Sequence, residues 1–493
     1  MIRELLLCLV LSFGGFGTAS RSELITRNPL LSMTMLLPIG VAIYTFSSAL
    51  VYAFGINRPI VGLYLMGIVS VIELSKIKHT GGTLAIHLRS FLCSVTIAAA
   101  LMLVIRVLVS PLLTFDSYKI LLSGKSFGSS IFSFNSPDLA SFPFMITNFQ
   151  AGSEIFNLSY TVYLPVVTGF LAIISAIIVV SHLVTSSRKD STIFGISVLI
   201  VMLAFGSVTY MLRMQLGYLN SHLLMAGFYS LGFTTCLAKG NGLKRTLCPS
   251  ISALLIGSTA FIRMEGLLLT TLLIISFVSI EKLSRKDLVT FFLISLVVPM
   301  LWYVRLAIAG ASGSTIISPR NTILMLLIAA GPLVLNWWRR SLKVLDHLPN
   351  ITIIALGIIF CFLLLTNEQT IESGLIFLSN TVGTGYWGAF WWTFGPLTVV
   401  LFCFGPRIRN EIVWIMTIGG GLLVILLLGA IRRIPYRIGW GDSGNRMLVH
   451  IAPLAVIYIA VKVHAWFRTG NSSSRDAEKT DETETYPLDS RTS

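Results

Sequence analysis

Apolar runs alternate along the chain with short polar or charged breaks. The runs are centred near residues 33–56, 59–75, 90–114, 161–184, 192–210, 216–238, 247–262, 263–280, 288–308, 321–338, 351–366, 387–404, 411–430 and 447–465. About 20 apolar residues carry an α-helix across a bilayer. A chain in lipid must satisfy every backbone donor and acceptor within itself, which a helix does and an open strand edge does not. The pattern therefore predicts an all-α polytopic membrane protein, a helical bundle with about 14 transmembrane helices. Residues 1–20 read either as a further short span or as a signal-like segment with a basic start, an apolar centre and small residues after it. Of the two, a retained span is expected.

The breaks differ in length and charge. Lys and Arg fall in alternate ones: Lys76, Lys78 and Arg89; Arg188 and Lys189; Lys239, Lys244 and Arg245; Lys282, Arg285 and Lys286; Arg339, Arg340 and Lys343; Arg407 and Arg409. The positive-inside rule makes these connections cytoplasmic, with the C-terminus on the same side, and the opposite ones external. The longest external segment, 115–160, exceeds a turn and is too apolar for a solvated linker; its YKILLSG and IFSF stretches predict short interfacial helices. The other notable external segments are the turn Arg263-Met264-Glu265, the aromatic stretch 367–393 and the basic loop 432–446. The chain thus divides into N-terminal transmembrane helices (1–89), a core of spans holding the long loop (90–467), and an acidic tail (468–493) without apolar mass, expected to be disordered.

Composition narrows the class further. Hydrophobic residues make up 55% and charged residues 12% of the chain, with a mean hydropathy of +0.84, against about 25% charged in an ordinary soluble domain. A water-soluble enzyme is excluded. The net charge of +15 sits in short loops between spans, where it sets orientation and meets anionic lipid, so membrane lipids rather than nucleic acid are the expected partners. The six cysteines are scattered without C-x-x-C spacing, and the seven histidines form no H-E-x-x-H motif. Neither a disulfide framework nor a zinc site is predicted.

Few residues remain that could carry chemistry. The acidic residues assigned to the outer face are Asp116, Asp138, Glu154, Glu265, Glu368, Glu372 and Asp442. An ionisable group at the end of a span is expensive to leave unpaired, which makes it a functional candidate by default. Asp116, directly after IRVLVSPLLTF, is either a general base or metal-anchoring carboxylate, or the N-cap of the helix that follows. No other residue offers itself as a metal ligand. Arg263 and Glu265 either close a helical hairpin as a local charge pair, or Arg263 faces a phosphate that Glu265 helps position. Arg432, Arg433, Arg437 and Arg446 lie on the face where positive charge is disfavoured. They predict an anionic ligand, a phosphate or diphosphate gripped by the guanidinium fork, or else lipid headgroups. Trp391 and Trp392 are either an interfacial belt or a sugar-binding surface.

Three local patterns, in this order and on one predicted side, carry a family resemblance. They are a span ending in Phe115-Asp116-Ser117-Tyr118 and leading to Gly124, the turn Arg263-Met264-Glu265-Gly266, and Asn445-Arg446-Met447-Leu448 before a last span holding Pro453. From about residue 90 to 465 the chain resembles the GT-C superfamily of membrane glycosyltransferases, which includes protein O-mannosyltransferases and lipid A aminoarabinose transferases. It departs from many relatives in having Ser117 after Asp116 instead of a second acid, and only Asn220 and His222 in the segment Leu216–His222 where others carry an acidic residue.

The resemblance implies an enzyme that takes a sugar from a polyprenyl-phosphate donor and passes it to a glycan, lipid or protein acceptor at the external face, in an inverting single displacement. Asp116 becomes the catalytic carboxylate, with Glu265 as second catalytic candidate. Tyr118, Arg263, Arg432, Arg433, Arg437, Arg446, Trp391 and Trp392 become substrate-binding candidates. No cofactor is implied, and a divalent metal would have Asp116 as its only candidate ligand. The expected location is a prokaryotic plasma membrane. Rival functions are a lipid-linked glycan polymerase or ligase, and a lipid or polysaccharide flippase.

Overall fold

The computed structural model describes residues 2–482 except 21, 23–24, 27, 57, 77–80, 129–143, 159, 186, 220, 241–248, 264, 281–282, 309–318, 339–343 and 432–434. At 81–87, 115–116, 119, 125–128, 188, 239–240, 307–308, 319–322, 325 and 469–482 the backbone alone is described.

The helices are, in order, α1 (Ile2–Ala19), α2 (Pro29–Ala53), α3 (Pro59–Ser75), α4 (Gly81–Leu108), α5 (Phe115–Gly128), α6 (Phe144–Ile155), α7 (Tyr163–Val184), α8 (Arg188–Val208), the short α9 (Tyr210–Met214), α10 (His222–Gly240), α11 (Pro249–Ile262) and α12 (Gly266–Ile280). There follow α13 (Arg285–Phe292), a π-helical turn (Leu293–Val297), α14 (Val298–Ile308), α15 (Pro319–Trp338), α16 (Val344–Thr366), α17 (Glu368–Ser379) with a second π turn (Asn380–Thr384), α18 (Phe390–Phe404) and α19 (Glu411–Ile431). The short α20 (Ser443–Met447), a 3-10 turn (Leu448–His450) and α21 (Ala452–Glu482) complete the chain.

The apolar runs of the sequence coincide for most of their described length with these helices, the run 288–308 with α13, the π turn and α14 together. Among the described residues nine are long and apolar enough to cross a membrane, six more are apolar but shorter, and no strand forms beyond a lone bridge between Leu112 and Tyr218. The chain is an all-α, multi-pass membrane protein. Local chemistry sets the helix starts. Pro29 and Pro59 occupy first positions, where a missing N–H loses nothing. Ser187 and Ser284 accept from the backbone N–H of Asp190 and Asp287 at 3.0 and 3.2 Å.

Burial separates the bundle into inner and outer helices. In its most apolar stretch α2 is 94% buried and α7 89%, against 11% for α8 and α16. The inner helices approach closely: a Cβ built on Gly227 of α10 would lie 2.3 Å from the Gly169 carbonyl of α7. Exposed Ile196, Ile200, Ile358 and Phe362 on the outer helices belong against lipid. Helix α1 runs beside α2, with Leu7, Cys8 and Leu11 fully buried.

Two findings differ from expectation. Helix α6 forms where the sequence predicted no helix, and it is packed within the protein, with Thr147, Asn148, Gln150 and Ser153 all buried; the predicted YKILLSG helix falls on α5. Gln150 makes that possible by closing the return loop, donating to the Thr161 carbonyl at 2.7 Å and accepting from its N–H at 2.9 Å. The IFSF stretch lies outside the described residues. Helix α21 continues to Glu482, into the acidic tail, through Lys, Glu and Arg residues of fair helix propensity.

The connections sort to two ends. At one end Tyr163 donates to the Val109 carbonyl at 3.3 Å, Met211 to that of Tyr386 at 3.2 Å, and Asn380 to that of Arg437 at 2.8 Å. At the other, Arg468 reaches the Val184 carbonyl at 3.3 Å, and fully buried Lys462 joins the Pro406 carbonyl at 2.6 Å and Glu411 at 2.5 Å. The first end gathers the segments that held the chemical candidates.

A candidate anion site between five segments

The site is assembled around residues 217–222, between the short α9 and the start of α10. Leu112, in the extended stretch after α4, donates to the Gly217 carbonyl at 2.7 Å. Only glycine fits there, because a Cβ at 217 would stand 2.5 Å from the Ser110 carbonyl. This contact seats Tyr218, 2% exposed, beside the start of α5. Thr114 Oγ1 donates to the Tyr218 hydroxyl at 3.1 Å, and Ser117 Oγ donates to the Leu219 carbonyl at 3.2 Å.

Asp116 lies between those two anchors, in the first turn of α5. The helix begins at Phe115, and the Thr114 carbonyl accepts its first bond, from the Tyr118 N–H at 3.0 Å. The capping position is therefore Thr114 and not Asp116, which corrects that half of the expectation. The Asp116 side chain is not among those described. Tyr118 is 55% exposed.

Arg263 and Glu265 face the same segment from the turn between α11 and α12. Arg263 Nε donates to Glu265 Oε1. Its Nη1 donates to Ser221 Oγ at 3.2 Å and to His222 Nε2 at 3.1 Å. The hairpin charge pair and the outward-reaching arginine are thus one arrangement: the carboxylate holds one edge of the guanidinium and the α10 start holds another. His222 continues to His450, with 2.9 Å between Nδ1 and Nε2 and the rings stacked at 5.1 Å. Both histidines are fully buried.

The last span contributes Arg446. Its Nη1 donates to the Tyr218 hydroxyl at 2.7 Å, and its guanidinium lies 5.7 Å from the centre of that ring. Asp442 caps α20 by accepting from the Asn445 N–H at 3.1 Å, and its other oxygen accepts from the Arg437 N–H at 3.0 Å. Asn445 accepts from the indole N–H of fully buried Trp387 at 2.6 Å and donates to the Gly385 carbonyl at 3.0 Å.

Among the sequence-derived candidates, Arg263, Glu265 and Arg446 meet through Tyr218, Ser221 and His222, and the backbone of Asp116 adjoins them. Others stand apart. Arg437 is held by its backbone with its side chain exposed. Trp392 is 61% exposed and donates to the Val382 carbonyl at 2.8 Å. Trp391 packs edge-to-face against Trp387, with ring centres 5.5 Å apart. Arg432 and Arg433 lie outside the described residues. Sequence reasoning missed Thr114, Tyr218, His222, His450 and Asn445. The segment around Tyr218 was conspicuous only for what it lacked, and nothing in spacing links His222 to His450.

Beside this cluster lies a groove of about 570 Å³ between α7, α8, α10, α18 and α21. Its walls are apolar, with Phe170, Met202, Leu223, Phe390 and Val456 among them, and Arg213 is its one charged lining residue. Leu216, Leu223 and Val449 are among its lining residues, next in sequence or nearly so to Tyr218, His222 and His450. Arg213 is exposed, 5.5 Å from the centre of the Tyr210 ring. Among the described residues no three His, Cys, Asp or Glu side chains gather as a metal site. The chemistry on offer is two arginines held by hydrogen bonds to uncharged side chains, able to donate to an anion, near a groove with apolar walls.

No protein-family model, no curated protein and no solved structure matches the chain.

Proposed function

We propose that the chain is a membrane glycosyltransferase of the GT-C type, a bundle of about 14 spans that moves a sugar from a polyprenyl-phosphate donor to an acceptor hydroxyl on a glycan, lipid or protein. One observation carries the proposal: an apolar groove of about 570 Å³ is lined by Arg213 and by Leu216, Leu223 and Val449, neighbours in sequence of the Tyr218, His222 and His450 segment that holds Arg446 and Arg263. That combination suits an amphiphile with a long apolar tail and a phosphate head. The alternation of basic connections supports an external site, as in a prokaryotic plasma membrane.

In the displacement, the acceptor oxygen bonds to the anomeric carbon as the bond from that carbon to the phosphate oxygen breaks. The acceptor proton passes to the Asp116 carboxylate, and the phosphate leaves with the electron pair. Arg446 and Arg263 meet the charge that builds on it. Glu265, tied to Arg263, positions that arginine, and Asp116 is the base. A flippase fits less well, because transporters place their substrate sites near the bilayer midplane and these charges gather at one end of the bundle. A glycan polymerase or ligase shares the lipid-phosphate leaving group and differs in product.

The test is to incubate wild type and Asp116→Asn, each in lipid nanodiscs, with polyprenyl-phosphate sugars and a panel of hydroxyl acceptors. Release of polyprenyl phosphate is followed by mass spectrometry. Wild type is expected to release it and Asp116→Asn to be slower by about 10²- to 10⁴-fold. Equal rates overturn the carboxylate assignment, and polymeric products favour the polymerase.

A further inference from the structure

The hydrogen bonds around Arg263 have a direction. A guanidinium only donates, so His222 accepts from it through the Nε2 lone pair, at 3.1 Å. Neutral His222 then carries its proton on Nδ1 and donates it to His450 Nε2, at 2.9 Å. His450, accepting at Nε2, carries its own proton on Nδ1, a buried atom with no partner among the described residues. Both rings are fully buried and lie between the start of α10 and the start of the last span, while Arg263 comes from the turn between α11 and α12. Two apolar rings would fill that space without needing any of these bonds, and leaving a donor unmatched costs about 1–3 kcal/mol.

We propose that His222 and His450 are positioning residues, a one-way hydrogen-bond relay of two neutral imidazoles that aims Arg263 into the anion pocket and locks its turn to the segment carrying Arg446. The proposal rests on the assignment of Arg263 to a donor phosphate. It explains why a histidine pair occupies the core: each ring both accepts and donates, so the order set at Arg263 passes across three elements.

Two measurements on the full chain in nanodiscs test it. In ¹⁵N spectra at neutral pH, assigned with single His222→Gln and His450→Gln variants, both rings are expected as the Nδ1–H tautomer, the form that isolated neutral histidine populates less. In donor turnover, His222→Leu is expected to raise the donor KM about 10-fold or more, the loss of one hydrogen bond to a charged group, with kcat changed far less. His222→Gln, which offers Arg263 an acceptor and His450 a donor, is expected to recover most of that loss. An Nε2–H or doubly protonated ring, or equal KM values for the Leu and Gln variants, overturns the relay. A wild type that turns over no lipid-phosphate donor overturns the functional assignment, and the tautomers then decide the relay by themselves.

Discussion

The Tyr218 hydroxyl accepts from Thr114 and from Arg446 while its ring lies against the Arg446 guanidinium, so removing one oxygen atom breaks two contacts and spares the aromatic packing. Tyr218→Phe is expected to lower stability by about 1–3 kcal/mol, the range for stranding a partly buried charged donor, read as a lower unfolding midpoint in detergent. Arg446→Ala removes the proposed phosphate contact and is expected to raise the donor KM by about 10- to 100-fold. The ionisable half of this site was legible in the sequence. Arg263 and Glu265 announce themselves because charge at the end of an apolar run is costly, and Arg446 because it lies on the face where positive charge is disfavoured. The neutral half was not, because Tyr218, His222 and Asn445 acquire meaning only from partners brought up by folding: His222 and His450 are 228 positions apart. Where the charges were read as separate features, a shared set of uncharged acceptors makes them one.

The helices themselves were the most legible part, since period, length and lipid solvation all point to the same structure. Their packing order was not, because an all-round apolar helix carries no stripe to say which face turns inward. Glycines decide some of it. The seat of the site, α10, approaches α7 where Gly227 meets the Gly169 carbonyl, with room for no Cβ. Gly227→Leu is expected to destabilise by about 1–3 kcal/mol through overpacking, and to disturb donor binding through displacement of His222, five residues earlier on the same helix. Unfolding midpoints and donor KM, measured together, check both effects. Helix α6 escaped prediction for the opposite reason: its Asn148, Gln150 and Ser153 look like a wetted surface in sequence and are interior in the fold, tied there by the Gln150 bonds to Thr161.

Across the whole molecule, the two ends of the bundle do different work. One carries the anion pocket and the other a buried clasp in which Lys462 spans the Pro406 carbonyl and Glu411, with Tyr458 donating to Glu411 at 2.9 Å. The clasp ties α21 to the connection between α18 and α19. Lys462→Ala removes the charge that balances Glu411, leaving it only the Tyr458 hydroxyl, and is expected to cost about 3–5 kcal/mol, seen as a lowered unfolding midpoint. Its donor turnover is expected to stay close to wild type wherever the protein remains folded, because the clasp shares no hydrogen bond with the residues around Arg263 and Arg446. Loss of turnover in the folded variant would show that the last span conveys strain between the ends.

The groove beside the pocket has a rim that includes Leu108 and Leu203, 74% and 49% exposed and facing outward. If the slot holds the tail of the proposed lipid donor, that donor reaches it from within the leaflet by two-dimensional diffusion, without crossing bulk water. The quantity that governs its occupancy is then mole fraction in the surrounding lipid. Molarity in the surrounding solution governs only the acceptor, and the thickness and fluidity of the bilayer become kinetic variables in their own right.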